Sequence, residues 1–329
     1  MSAVLAIIVI SAVSFGILTG FHNSANIVAT PIASRAIRPK HILLLAAVGS
    51  FLGPFLFGVA VAEAIGTGIT NPQNITLAVV LAGTFSAVLW GLFTWWRGIP
   101  SSSSHALIGG LVGAIIVAEG FQAIYLNGLV RIFLALLLSP ILGLVTGFLV
   151  MKITIFLARS ATPRINTYFK GSQLFSAFGL ALSFGANDAQ KTMGIITLGL
   201  VASGLLTQFI VPWWAILLSA LAVSVGVALG GRNLIKTLGF RIVRIRPVHG
   251  FVSQVSAALV VLGASLSGGP VSTTQVISAS IMGAGSAERV TKVRWTIGYQ
   301  MVTAWLLTVP VSCILAAILY FPLAWLVNL

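Results

Sequence analysis

The chain has 329 residues, of which 58% are hydrophobic and 7% charged, with a formal net charge of +14. Soluble domains carry about 25% charged residues, so this composition excludes an ordinary soluble domain. The basic residues lie in short clusters between apolar runs, which is typical of cytoplasmic loops and not of a nucleic-acid-binding face. A polytopic membrane protein without a nucleic-acid partner is predicted. A single cysteine excludes an intramolecular disulfide.

Ten stretches are apolar and long enough to be membrane segments. In chain order they cover 3–34, 42–62, 74–96, 101–118, 127–157, 171–204, 212–230, 248–266, 271–286 and 293–327. The basic clusters lie at 35–40, 159–170, 232–246 and 289–294. If these clusters lie in the cytoplasm, successive segments cross the membrane in alternating directions and every basic loop is on the cytoplasmic face. Both termini then lie outside. The mixed basic and apolar stretch 232–246 is predicted to form an amphipathic helix on the inner leaflet.

The segments 3–34 and 171–204 are too long for straight spans, because 30 helical residues rise about 45 Å against a hydrocarbon core of about 30 Å. Each has a polar stretch in its middle, "GFHNSANIVAT" at 20–30 and "GANDAQKTMG" at 185–194. Non-helical backbone at membrane depth is tolerated only where it faces protein or a cavity. These two stretches are therefore predicted to break their helices.

The second half of the sequence repeats the first. Gly20 and Gly185 begin the two polar stretches, and the motifs "PSSSSHALIGG" and "PVSTTQ" begin at Pro100 and Pro270. Each half holds five segments, and an odd number of crossings inverts the second copy. The predicted fold is all-α, with two inverted five-segment repeats whose broken helices meet at the membrane midplane, as in secondary transporters. The predicted parts are an N-terminal repeat (1–158), a cytoplasmic linker (159–170) and a C-terminal repeat (171–329).

Both proline motifs place hydroxyl side chains where a helix begins. A helix start presents free N–H groups and the positive end of the helix dipole, which together suit a tetrahedral oxyanion. The structural alternative is simple helix capping. The repetition in two inverted halves favours an anion site. The hydroxyl residues are Ser102, Ser103, Ser104, Ser272, Thr273 and Thr274.

A charged pair lies inside the second polar stretch. Asp188 is the only aspartate of the chain, and Lys191 follows three residues later on the same helical face. Charges at membrane depth mark functional sites, although a structural ion pair is the alternative. Several side chains in the motifs can supply oxygens to a cation or carry a coupling proton; they are Asn23, Asn26, Asn187, Gln190, Gln275, His22 and His105.

These motifs resemble the signatures of the inorganic phosphate transporter (PiT) family. The resemblance spans both repeats and implies an inverted-repeat fold, a homodimer, and movement of phosphate with a coupling cation. It also implies that Asn187, Asp188 and Lys191 contribute to the site through the second signature, and Asn26 through the first. The hydroxyl turns stand where the family holds phosphate.

One residue departs from the family pattern, because Asn23 stands where the first signature usually has an aspartate. An amide binds a cation less strongly than a carboxylate, so the departure bears on sodium coupling. The histidine of the first motif and the lysine of the second resemble the bacterial, often proton-linked branch, which takes up phosphate free or as a neutral metal–phosphate.

The expected function is import of inorganic phosphate across the plasma membrane by H⁺ or Na⁺ symport with alternating access. The alternatives are a sulfate or other oxyanion permease and an anion channel. The sequence offers no nucleophile–base pair that would suggest an enzyme. Neither a cofactor nor a resident metal is expected. The predicted phosphate-binding residues are Ser102, Ser103, Ser104, Ser272, Thr273, Thr274, Lys191 and Gln275. Those predicted for the coupling ion or proton are Asp188, Asn187, Asn23, Asn26, His22 and His105.

Overall fold

Long apolar runs lead to helices, since a backbone without water must satisfy its hydrogen bonds internally. The computed structural model describes residues 3–99, 101–230 and 245–327, and within them the long regular elements are eleven α-helices. They are α1 (Ala3–Ala33), α2 (Pro39–Phe57), α3 (Ala60–Gly68), α4 (Leu77–Arg97), α5 (Ser103–Glu119), α6 (Leu126–Leu157), α7 (Ile165–Ala202), α8 (Trp213–Leu229), α9 (Pro247–Leu266), α10 (Thr273–Glu288) and α11 (Trp295–Val327).

Six of the described helices are long and apolar enough to cross a membrane: α1, α2, α4, α6, α9 and α11. The helices α5 and α8 are apolar but shorter. The central part of α7 is polar and enclosed by other helices, so it needs no lipid-facing apolar surface. The protein is a multi-pass membrane protein.

The two halves of the chain repeat one another, with five helices each: α1, α2, α4, α5 and α6, then α7 to α11. Contacts between the halves come in matched pairs. The packing of α1 on α8 is repeated by α7 on α2, and that of α5 on α11 by α10 on α6. The halves are therefore intertwined, as expected of an inverted repeat. The parts predicted at 1–158, 159–170 and 171–329 stay a prediction, and α7 itself begins at Ile165.

The predicted breaks in the two long segments were wrong. Both α1 and α7 are helical throughout their polar stretches. Four polar residues of these stretches bond through their side chains to one another and to α10, which leaves the backbone ladder intact; they are Asn23, Asn26, Asp188 and Lys191. The glycines that begin the stretches serve close packing instead. A Cβ on Gly20 would collide with the backbone of Val223 in α8, and one on Gly185 with the backbone of Ser50 in α2.

The discontinuities lie instead at two helical hairpins. The helix α4 packs on α5, and α9 packs on α10. The second helix of each pair has 17 or 16 residues, a length of about 26 or 24 Å, which is short of a full crossing. Both begin inside the protein, where Ser102 and Ser272 are buried. We call the starts of α5 (residues 102–105) and α10 (residues 271–275) the two hairpin tips.

The open end of the second hairpin is closed by an ion cluster. Glu288 at the end of α10 pairs with Arg246 before α9 and with Lys292 at 2.7 Å, and His249 Nε2 lies 3.5 Å from the same carboxylate. Of the surface helix predicted at 232–246, only residues 245 and 246 are among those described.

Candidate functional site

Each hairpin tip begins with a serine N-cap. The Ser102 hydroxyl accepts the N–H of His105 at 3.2 Å, and the Ser272 hydroxyl accepts the N–H of Gln275 at 3.4 Å. The capping interpretation is thus correct for these two serines, and they lie 170 residues apart, as the repeat requires. Capping uses only one N–H of each helix start, so other first-turn N–H groups keep no intrahelical partner.

Beside the tips, α7 contributes a buried ion pair. Lys191 Nζ donates to Asp188 Oδ1 at 2.6 Å, and both side chains are 0–1% exposed. The other carboxylate oxygen, Oδ2, accepts from Asn23 Nδ2 of α1 at 2.5 Å. Both oxygens of the only aspartate are therefore hydrogen-bonded, which buried charges require.

The amides of α1 extend this network to α10. Asn26 Nδ2 donates to Asn23 Oδ1 at 2.6 Å and to Thr274 Oγ1 at 2.9 Å. The Thr274 hydroxyl donates to Asn23 Oδ1 at 3.2 Å. Asn23 and Asp188 are equivalent in the two repeats, 165 residues apart, and Asn26 is equivalent to Lys191. The inverted repeat thus brings equivalent residues into direct contact.

The two hairpin tips meet at the carbonyl of Val271. Ser104 Oγ of α5 donates to this oxygen at 2.7 Å, and Lys191 Nζ donates to it at 3.3 Å. The Thr273 side chain also lies close to Asp188. The site therefore joins four helices, α1, α5, α7 and α10, and its charged pair is neutral overall. Two positive helix ends converge there, which favours an anion.

Four residues predicted for the site lie at its margin. Asn187 Nδ2 donates to Ser265 of α9 at 2.9 Å, and its Oδ1 is buried without a partner among the described residues. His22 lies against Gly91 of α4 and not against Asp188. Ser103 is half-buried, and the described residues provide no side-chain bond to it. Gln275 lines a neighbouring cavity.

That cavity has a volume of about 720 Å³ and lies between α6, α10 and α11. Its walls are apolar apart from a few residues, among them His105 and Gln275, which are equivalent in the two repeats. His105 Nδ1 lies 2.7 Å from the Ser102 hydroxyl, so this histidine is bonded within the first tip and also lines the cavity. Apolar walls do not suit a hydrated anion.

The role of Val271 was missed in the sequence, and Gln190, predicted as an oxygen donor to a cation, has a different partner. The Val271 carbonyl carries no side-chain signal, and only the convergence of the two tips reveals its role. Gln190 Oε1 accepts the N–H of Val61 at 2.6 Å and so caps α3 from another helix. Its position in the second polar stretch was a signal, but its partner is 129 residues away.

The chain is similar to known proteins over nearly its whole length. The model of the phosphate transporter family matches residues 19–163 and 156–316, one match for each half. A "probable low-affinity inorganic phosphate transporter" of Bacillus subtilis (strain 168) is 40% identical over 96% of each chain. One of Rhizobium meliloti (strain 1021) with the same description is 39% identical, covering 94% of this chain and 93% of the relative.

A solved structure described as "The sodium-dependent phosphate transporter" has a TM-score of 0.89 and 23% identity, covering 98% of this chain and 99% of that one. It shows the same fold. The two family matches, the length of the similarity to the bacterial relatives and the shared fold agree with the sequence motifs, and the family is one of transporters and not of enzymes. The chain belongs to the phosphate transporter family.

Proposed function

We propose that the protein imports inorganic phosphate across the plasma membrane by cation-coupled symport with alternating access. The observation that supports this most is the meeting of the two hairpin tips at Val271, beside the buried pair of Asp188 and Lys191. Two helix starts from inverted halves direct free N–H groups and hydroxyls toward one region. A desolvated oxyanion needs that donor set.

In this proposal the hydroxyls and free N–H groups of both tips hold the phosphate oxygens. The residues are Ser102, Ser103, Ser104, Ser272, Thr273 and Thr274, with Gln275 at the edge. The hydroxyl protons of Ser104 and Thr274 are donated to Val271 and Asn23, so these two residues contribute through their free backbone N–H groups. A capping hydroxyl such as that of Ser272 accepts through its oxygen and keeps its proton for donation. Lys191 has three N–H donors, and the described part of the chain supplies two acceptors. Its third donor serves a phosphate oxygen.

We propose a proton as the coupling cation. Asp188 is the only buried carboxylate in the network. Both of its oxygens already accept a hydrogen bond, one from Lys191 and the other from Asn23. Asn23 and Asn26 support this carboxylate. His105 is the better placed histidine, because it belongs to the first tip and its Nδ1 lies 2.7 Å from the Ser102 hydroxyl. His22 and Asn187 contribute from the margin.

A transporter is favoured over a channel by the burial of the site. Asp188 and Lys191 are 0% exposed, and Thr274, the most exposed of the residues named for the network, is 7% exposed. A channel needs an open pore with weak, successive binding sites. Burial from both sides fits an occluded state of alternating access. A sulfate permease of the same fold remains the second candidate, since hydroxyl and N–H donors serve either anion.

The test is uptake of labelled phosphate into liposomes containing the purified protein. We expect uptake driven by an inward proton gradient and unaffected by a sodium gradient at equal pH, with sulfate a weak competitor. A parallel assay with and without Mg²⁺ tests whether a metal–phosphate is the substrate. Uptake of sulfate in preference to phosphate contradicts the assignment of substrate. Stimulation by sodium alone contradicts proton coupling.

Orientation and assembly complete the proposal. We propose that both termini lie outside, following the cytoplasmic placement of the basic loops, and that the protein forms a homodimer. In a Cys313→Ser background, Ser2→Cys is expected to label in intact cells, and Ser160→Cys only after permeabilisation. The reverse pattern contradicts the orientation. Native mass spectrometry of the purified protein tests the dimer.

A further inference from the structure

We propose that the ammonium of Lys191 occupies the position of a monovalent coupling cation, so that the chain carries its own cation at that point of the site. This inference rests on the proposed function as a cation-coupled transporter. It explains which residue makes a free alkali cation unnecessary, and it is more specific than the absence of a carboxylate at position 23.

Lys191 Nζ is surrounded by oxygens of the kind that bind cations. A carboxylate oxygen of Asp188 lies 2.6 Å away and the carbonyl oxygen of Val271 lies 3.3 Å away. The carbonyl belongs to non-helical backbone just before α10. Carboxylates and carbonyls of unwound backbone are the ligands that hold small hard cations in transporters. The ammonium lies where such a cation would be held.

The charges of the network also leave no need for a free cation. Asp188 and Lys191 balance each other, and the remaining side chains of the network, Asn23, Asn26 and Thr274, are neutral. The buried network is therefore electrically neutral without any bound ion. A free cation beside it would introduce an uncompensated buried charge, which is strongly unfavourable.

Lys191 also differs from the partner in a purely structural ion pair. A pair three residues apart on one helix needs no partner elsewhere. Lys191 nevertheless also bonds Val271, and that same carbonyl holds the first hairpin tip through Ser104. A coupling cation has this property, because it joins the tips that close around the substrate. The equivalent residue Asn26 contacts α10 without any charge.

The test is cation-dependent stability of the full-length purified protein without phosphate. Thermal unfolding is measured in NaCl, KCl and choline chloride at equal ionic strength. Wild type is expected to unfold at one temperature in all three salts. Lys191→Ala vacates the position and leaves Asp188 unpaired. Its unfolding temperature is expected to be about 3–5 °C higher in saturating sodium or potassium than in choline. The two alkali salts show which ion size fits.

Two matched variants control for the space and for the charge. Lys191→Met fills the position without a charge, and we expect no difference between salts. Lys191→Ala combined with Asp188→Asn removes the anionic ligand, and again no difference is expected. The proposal is overturned if wild type itself is stabilised by sodium or potassium over choline. It is also overturned if Lys191→Ala behaves alike in all three salts, or is equally unstable during purification in each of them.

Because phosphate is absent throughout, this test stands apart from the proposed function. Failure to transport phosphate, with the expected salt response of Lys191→Ala intact, contradicts the function and not the cation position. Phosphate uptake by the wild type, together with no salt response in Lys191→Ala, contradicts the cation position and not the function.

Discussion

The two hairpin tips have the same local structure but different surroundings. Both begin with a serine N-cap, and their residues correspond at a fixed separation of 170. The tip of α10 is bonded or close to Asn23, Asn26, Lys191 and Asp188. The tip of α5 contacts His105 within its own first turn and reaches the rest of the site through Ser104 alone among its described side-chain bonds.

The difference comes from the long helices and not from the tips. In α1 the network residues are two neutral amides, whereas the equivalent residues of α7 are an aspartate and a lysine. The two halves of an inverted repeat have similar backbones. Here they differ in a few side chains, so the network residues of α7 are charged and those of α1 are neutral. We conclude that the α10 tip is the anchored one, meaning that it is held in place by the network residues of α1 and α7. The following variants test this comparison, beginning with the largest expected effect.

The charged pair of α7 is expected to be indispensable for phosphate uptake. Asp188→Asn leaves the Lys191 ammonium buried without its counter-charge, a loss of about 3–5 kcal/mol of stability. We expect no phosphate uptake in liposomes and a clearly lower unfolding temperature. The matched variant Asn23→Ala removes only neutral hydrogen bonds and is expected to stay folded with reduced uptake. Equal uptake by the two variants contradicts the asymmetry.

A carboxylate introduced among the neutral network residues of α1 makes the two halves more alike. Asn23→Asp places a second carboxylate against Asp188, where amide and carboxylate now lie 2.5 Å apart. Two anions this close need a proton or a cation between them. We expect a sodium gradient to stimulate phosphate uptake severalfold in this variant and not in wild type. Asn26→Asp, one turn further along, is the comparison for an added charge that does not touch Asp188.

The hydroxyls of the tips are expected to act on affinity. Ser103→Ala and Thr273→Ala are equivalent changes, and each removes a hydroxyl that the proposed function assigns to the desolvated phosphate. Hydrogen bonds to charged groups contribute about 1.5–3 kcal/mol, so each change raises the phosphate KM about tenfold or more. The larger rise is expected for Thr273→Ala, because that tip is the anchored one. An unchanged KM in the double variant means that the tips are helix caps only.

The smallest effect is expected at the far ends of the two short helices. Glu288→Gln breaks an ion cluster whose basic partners, Arg246 and Lys292, are about half exposed. We expect a loss of at most about 1 kcal/mol, reduced further by salt. Glu119 is the last residue of α5, as Glu288 is of α10; it is exposed and makes no ion pair among the described residues, so Glu119→Gln is expected to change nothing. Unfolding at low and high salt checks both.

That these candidate residues lie together was largely predictable, because their types are rare in such a chain. A single aspartate, a lysine one turn later and hydroxyl runs after prolines are conspicuous among apolar residues. The marginal placement of His22 and Asn187 was not predictable. Each is next in sequence to a network residue, but a helix turns by about 100° per residue, so neighbours face different helices. His22 therefore faces α4, and Asn187 faces α9.

By itself the sequence determined the membrane class, the five-segment repeat and the hydroxyl helix starts, because apolar run length, spacing and capping are local properties. Only the tertiary structure decided where the chain is discontinuous. Polar stretches in α1 and α7 stay helical because side chains from α1, α7 and α10 satisfy one another. It also decided that equivalent residues touch, as Asn23 and Asp188 do across 165 residues. Such contacts depend on how the inverted halves intertwine, and no local pattern encodes that.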